Sequence, residues 1–180
     1  LYVWGGGWND STRKGLSPTM TAFYNSQTAD YNYNNYRDLS TENRAKGFDC
    51  SGFVGWAAYQ VMQTKSGVGS GYTVVSGEVG STYKARGWGS ILTQSDLSKS
   101  DWTFKPGDIG YNEGHVWIVL GQCSDKSVVI IHSTPQAGVQ ISGTTTPTGS
   151  YSSEAAALAT KYMSLYSGYS LFHYHPSVGN

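Results

Sequence analysis

A chain of 180 residues has the length of one domain with a sizeable core. Twelve Lys and Arg balance twelve Asp and Glu, so no charge excess points to nucleic acid or to an acidic membrane surface. Charged residues are only 13% of the chain, with 23 glycines and 14 tyrosines, a polar but mostly uncharged surface that suits an extracellular protein.

No apolar run approaches the roughly 18 residues that span a membrane; the longest are Val116–Leu120 and Val128–Ile131. Two cysteines do not make a disulfide framework. Alternating aromatics open the chain, Tyr2 to Trp4, followed by a glycine turn at Gly5–Gly7. Ser17-Pro18 starts a short helix expected over Pro18 to Ser26, with proline at its first position. The Asn/Tyr-rich run from Asp30 to Asp38 has no clear period and reads as a surface loop whose tyrosines could reach a ligand.

The next stretch, Asp49-Cys50-Ser51-Gly52-Phe53-Val54, begins a helix expected to run to about Met62. Cys50, Phe53, Val54, Ala57, Ala58 and Val61 follow the spacing of one helical face. Asp49 suits the N-cap, and the helix dipole there favours the nucleophilic thiolate of Cys50. A cysteine on such a face is also a common structural residue. If Cys50 reacts, Cys123 is a free thiol. Ser66 to Gly71 reads as a connection, and Val75, Val79 and Tyr83 suggest a short helix ended by Gly87. Leu97 to Trp102 is irregular, and Lys105-Pro106-Gly107-Asp108 is a turn.

After that turn the period becomes two. His115–Leu120 and Val128–His132 read as strands joined by a hairpin. A two-residue turn at Cys123-Ser124 would set His115 directly across from His132, with Cβ atoms roughly 4.5–5.5 Å apart; a bulge would shift that register. His115 could then take the Cys50 proton while His132 orients its ring. Ordinary strand-end histidines and a Cys/His metal site are the competing readings, the latter lacking any usual ligand spacing. Ser152 and Ser153 cap a helix expected over about Glu154 to Tyr166, with Leu158, Tyr162 and Leu165 as its apolar face and Gly168 at its end. Tyr169 to His175 alternates as a final strand, with His173 and His175 on one exposed face.

Asp49-Cys50-Ser51-Gly52-Phe53-Val54, then Gly114-His115-Val116, then Ile131-His132-Ser133, resembles the NlpC family of papain-like cysteine peptidases, bacterial cell-wall hydrolases. Tyr2-Val3-Trp4-Gly5-Gly6, Pro106-Gly107-Asp108 and Gly138-Val139 fit the same pattern in the same order. The resemblance implies an α+β, papain-like fold in one domain over residues 1–180, its catalytic helix packed on a mostly antiparallel, barrel-like sheet. It implies Cys50 as nucleophile, His115 as base and His132 as orienting residue. Tyr2, Asp49 and Ser51 would line the substrate side, with Trp117 narrowing the cleft. The implied reaction is hydrolysis of γ-D-glutamyl-diamino acid bonds in peptidoglycan stem peptides, without cofactor or metal, by a secreted or wall-located protein. That protein would be a monomer or part of a longer multidomain chain, with no nucleic-acid or membrane partner. An inserted segment at about 10–45, Trp117 where many members carry glycine, and the helix from Glu154 all depart from the family pattern. A wall-binding module without turnover, and a related Cys/His amidase or acyltransferase, are the alternatives.

Overall fold

The structure is a computed structural model that describes residues 1–7, 17–62, 72–97 and 102–165. Its class is α+β: helices gather around a four-stranded antiparallel sheet of order β1-β2-β3-β4, with β1 Ile109–Tyr111, β2 Val116–Gln122, β3 Val128–Thr134 and β4 Gly138–Gly143. Among the described residues no helix is long and apolar enough to cross a membrane. The expected connection at Ser66 to Gly71, most of Leu97 to Trp102 and the strand at Tyr169 to His175 lie outside the described residues.

Helix α1 is Pro18–Asn25, where Ser17 Oγ accepts the Met20 N–H, as the Ser-Pro start implies. A 3-10 turn at Tyr33–Tyr36 and the short α2, Thr41–Arg44, follow before α3. Helix α3, Cys50–Met62, is the central helix. The Val75/Val79/Tyr83 periodicity becomes a 3-10 turn, Ser76–Glu78, leading into α4, Val79–Ala85, and Gly87 follows in the left-handed region. The short α5 is Gln94–Leu97, and α6 is Glu154–Ser164.

Phe53 and Val54 of α3 pack with Val116, and Ile118, Ile131 and Val139 join the same cluster from the sheet. Burying such side chains stabilises by about 1.5–3 kcal/mol each. Val119, Val128 and Ile130 form a second cluster with Phe104 and Trp117. The buried side of α3 differs from the expected one: Ser51, Gly52, Gly55 and Tyr59 are buried, while Val61 is 82% exposed. A Cβ at Gly52 would strike the Gly6 carbonyl and one at Gly55 would strike Thr73. Backbone presses on the helix there, and glycine is invisible to a hydrophobic count. Helix α6 corrects a second face. It buries Ala155 and Ala159, with Gly143 of β4 pressed against the Ala155 backbone. Leu158, Tyr162 and Leu165 are exposed.

The β2–β3 hairpin also departs from the two-residue turn. Cys123 N–H donates to Ser127 O, Lys126 N–H donates to Cys123 O, and Lys126 has φ +66°. This is a three-residue loop with its last residue left-handed. Gln122 pairs with Val128 and Gly121 with Val129, but Val119 pairs with Ile130, so Leu120 is bulged out. Without the bulge, His115 and His132 would lie on opposite faces. With it, the register Ile118–Ile131 continues to set His132 across from Trp117, one diagonal step from His115.

Candidate active site

Asp49 makes the first turn of α3. Its Oδ1 accepts the Gly52 N–H at 2.6 Å and the Ser51 hydroxyl at 3.0 Å. Its Oδ2 accepts the Gly5 N–H at 3.0 Å, and its own N–H donates to Gly6 O at 3.2 Å. One carboxylate thus caps the helix and fastens the N-terminal glycine strap across it. Gly7, at φ +82°, and Gly6 permit the close passage, since a Cβ at either would meet the backbone or ring of residues 47, 48 or 52. Ser51 is buried and turned to Asp49.

Cys50 occupies the helical position next to this cap and is half-buried. Burial first, and then the Asp49 charge, push its thiol above the usual range. Backbone N–H groups of Val116, Ser51 and Cys50 oppose that shift and lose. The expectation of a resting thiolate therefore reverses: the helix terminus helps, but desolvation and the capping carboxylate outweigh it. The Val116 contact also brings the sulfur against the start of β2, the backbone that carries His115.

His115 is fixed through its main chain. Asn112 Oδ1 accepts the N–H groups of Gly114 and His115, each at 2.8 Å, and Asn112 N–H donates to His115 O at 2.9 Å. The His115 ring stacks on Trp117, with centroids 5.7 Å apart and planes 29° from parallel. Its Nε2 lies 2.7 Å from His132 Nδ1, and His132 Nε2 lies 2.8 Å from Ser142 Oγ. Gln140 Nε2 approaches the same His132 nitrogen at 3.4 Å. His132, Ser142 and Gln140 are all buried.

One tautomer satisfies the His115–His132 and His132–Ser142 contacts and leaves Nδ1 of His115 as an acceptor. Its Nε2 carries a hydrogen and donates to His132 Nδ1, and His132 Nε2–H donates to Ser142 Oγ. Burial, and then the proximity of His115, lower the His132 pKa to about 4, which keeps it neutral and able to accept. Burial lowers the His115 pKa as well. At neutral pH the site holds a thiol and two neutral imidazoles.

Tyr2 closes the other side. It is buried, forms a bridge with Phe48, and meets Tyr33 edge-on at 5.4 Å. Tyr31 Oη donates to Tyr2 O at 2.6 Å. Burial and the charges of Asp49 and Cys50 hold the Tyr2 phenol protonated well above its ordinary range. The Asn/Tyr run is therefore packed on the site through Tyr31 and Tyr33.

The structure brings Tyr2, Asp49, Cys50 and Ser51 to one end of α3, with His115 immediately before β2 rather than in it, Trp117 on β2 and His132 on β3. Sequence reasoning missed Asn112, Ser142 and Gln140. Asn112-Glu113-Gly114 is a legible turn signal, whereas Ser142 and Gln140 sit on β4, a strand its glycines concealed. Among the described residues, the side chains grouped as a metal could require are Cys123, Asp125 and Glu154, at the β2–β3 turn. Their carboxylates already accept the Glu154, Ser124 and Ser127 donors that tie α6 to that turn. No family model, no curated protein and no solved structure matches this chain.

Proposed function

We propose that this chain is a cysteine peptidase with a papain-like, NlpC-type fold that hydrolyses γ-D-glutamyl-diamino acid bonds in bacterial peptidoglycan stem peptides. The observation that carries the proposal is the hydrogen-bonded chain His115–His132–Ser142, which begins on the residue before Val116, whose backbone N–H reaches the Cys50 sulfur at the tip of α3. A structural cysteine has no use for a half-buried imidazole hydrogen-bonded to a buried one.

Substrate closes the sulfur onto His115 Nδ1, a contact that tightens when the peptide binds. As the Cys50 sulfur attacks the amide carbonyl, its proton passes to His115, and His132 stabilises the resulting imidazolium from the far nitrogen. The Cys50 N–H and the Tyr2 hydroxyl are the donors at hand for the oxyanion, and the raised phenol pKa keeps that proton in place. His115 returns the proton to the amine as the C–N bond breaks, leaving a thioester. Water, deprotonated by His115, then attacks the thioester carbonyl; the C–S bond breaks, Cys50 regains its proton and the acid departs. Such a substrate places the protein outside the cell or in the wall.

Mass analysis of peptidoglycan fragments after incubation with the wild-type protein and with Cys50→Ala tests this reading. New stem-peptide ends made only by the wild type support it. Undigested stems that remain bound to the protein would favour a wall-binding module instead.

A further inference from the structure

A γ-linked glutamyl residue is joined through its side-chain carboxyl and therefore keeps its α-carboxylate. A cation on the substrate side of the cleft would complement that charge, and the segment before α3 carries one at Arg37. The Arg37 guanidinium lies over the Trp4 ring, 4.8 Å from its centroid. Trp4 is 41% exposed, and its neighbour Gly5 is tied to Asp49, the cap of the Cys50 helix. The indole thus holds the guanidinium carbon over its ring while the side chain stays exposed to solvent.

Arg37 is exposed, and among the described residues no carboxylate lies within ion-pair distance of it; the ion pair of this segment joins Lys46 to Glu42 at 3.2 Å. Its charge reaches the site: the Tyr2 phenol feels Arg37 as well as Asp49 and Cys50. Tyr33, four residues before Arg37, packs edge-on against that phenol ring. The cation is therefore mounted on a wall that touches both the N-terminal strap and Tyr2.

We propose that Arg37, held over the Trp4 ring, is a specificity residue that binds the free carboxylate of the substrate's acyl-side residue. The inference rests on the peptidase reading and sharpens it: the preferred substrate is an anionic, γ-linked peptide rather than an ordinary α-peptide. A planar guanidinium pairs with a carboxylate through two parallel hydrogen bonds, which a neutral carboxamide cannot reproduce.

The probe is L-Ala-γ-D-Glu-L-Lys, with the glutamyl α-carboxylate either free or converted to the carboxamide. Two measurements are made: calorimetric binding to Cys50→Ala, and turnover by the wild type. The acid binds Cys50→Ala at least tenfold tighter than the amide, and adding Arg37→Gln brings that ratio close to one. Arg37→Lys keeps an intermediate ratio, because charge remains while the planar fork is lost. Equal binding of acid and amide, or a ratio unaltered by Arg37→Gln, overturns the carboxylate site. If Cys50→Ala discriminates as expected but the wild type cleaves neither peptide, the carboxylate site stands and the peptidase reading falls.

Discussion

Cys50 and Cys123 are both free, half-buried thiols that burial pushes above the usual thiol range, yet their surroundings are opposite. Around Cys123 the nearby charges are the carboxylates of Asp125 and Glu154, which raise its pKa further. Those carboxylates serve structure: Asp125 Oδ2 accepts the Glu154 N–H at 2.8 Å, and Glu154 binds back to Ser124. Around Cys50 the Asp49 carboxylate is opposed by three backbone N–H groups, and the residue before one of them, Val116, carries the His115 imidazole. Thiol pKa alone does not separate the two. What separates them is their hydrogen-bond donors: backbone N–H groups at a helix start reach Cys50, one of them from Val116, the residue after His115, whereas the Ser127 hydroxyl reaches Cys123 beside two carboxylates.

The largest way to break that contrast is to remove the base. His115→Ala lowers kcat/KM on the stem peptide by about 10³-fold, within the range that a positioned base contributes, while Cys123→Ser leaves it unchanged. Steady-state assays of both variants decide this, and a large loss in Cys123→Ser would assign the chemistry to the wrong sulfur.

A change in the scaffold comes next. Gly52→Ala drives a methyl into the Gly6 carbonyl and lifts the strap from the helix cap. It costs about 3 kcal/mol of stability, as overpacking at a fixed backbone does, and urea unfolding measures it. A comparable change at Gly121, where a Cβ meets nothing within 4 Å, costs far less.

Acid sharpens the comparison through His132. Its pKa falls from 6.5 in the unfolded chain to about 4 in the folded one, so the unfolded state binds more protons between those values. Stability is therefore complete above about pH 6.5 and is lost as pH falls toward 4, by on the order of 3 kcal/mol. His132→Gln flattens that slope in pH-dependent unfolding. Activity holds below the ordinary imidazole range before it declines, because His115 also stays neutral there.

The smallest expected effect is at Ser142. Ser142→Ala removes the acceptor 2.8 Å from His132 Nε2 and lowers kcat about fivefold with KM unchanged, while Ser142→Thr restores most of it. A KM effect instead would mean that Ser142 shapes the substrate site rather than the imidazole.

Much of the candidate site was legible in the sequence. The Asp-Cys start, the Ser-Pro start of α1 and the Pro-Gly-Asp turn are local signals, and local chemistry produces them. The histidine pair was legible only as a pair. Its register depends on a left-handed Lys126 and a bulged Leu120, neither of which has a composition mark. Two register errors of this kind can cancel in parity, and here they do: both histidines keep the face that a simpler turn would give them. The α6 face was misread because its leucines and tyrosine point outward while two alanines pack on β3 and β4, where only small side chains fit. The raised Cys50 pKa was hidden because burial of the thiol, its larger cause, leaves no mark in the sequence, and because Asp49 is both the helix cap and a negative charge beside the sulfur.

The central claim is that Cys50 is a nucleophile served by His115. A γ-D-glutamyl vinyl sulfone, which bonds irreversibly to an attacking thiol, tests it by peptide mapping of the adduct. The account predicts one adduct, on Cys50, formed at least a hundredfold more slowly in His115→Ala. Labelling shared equally with Cys123, or labelling of Cys50 that is indifferent to His115, would contradict it.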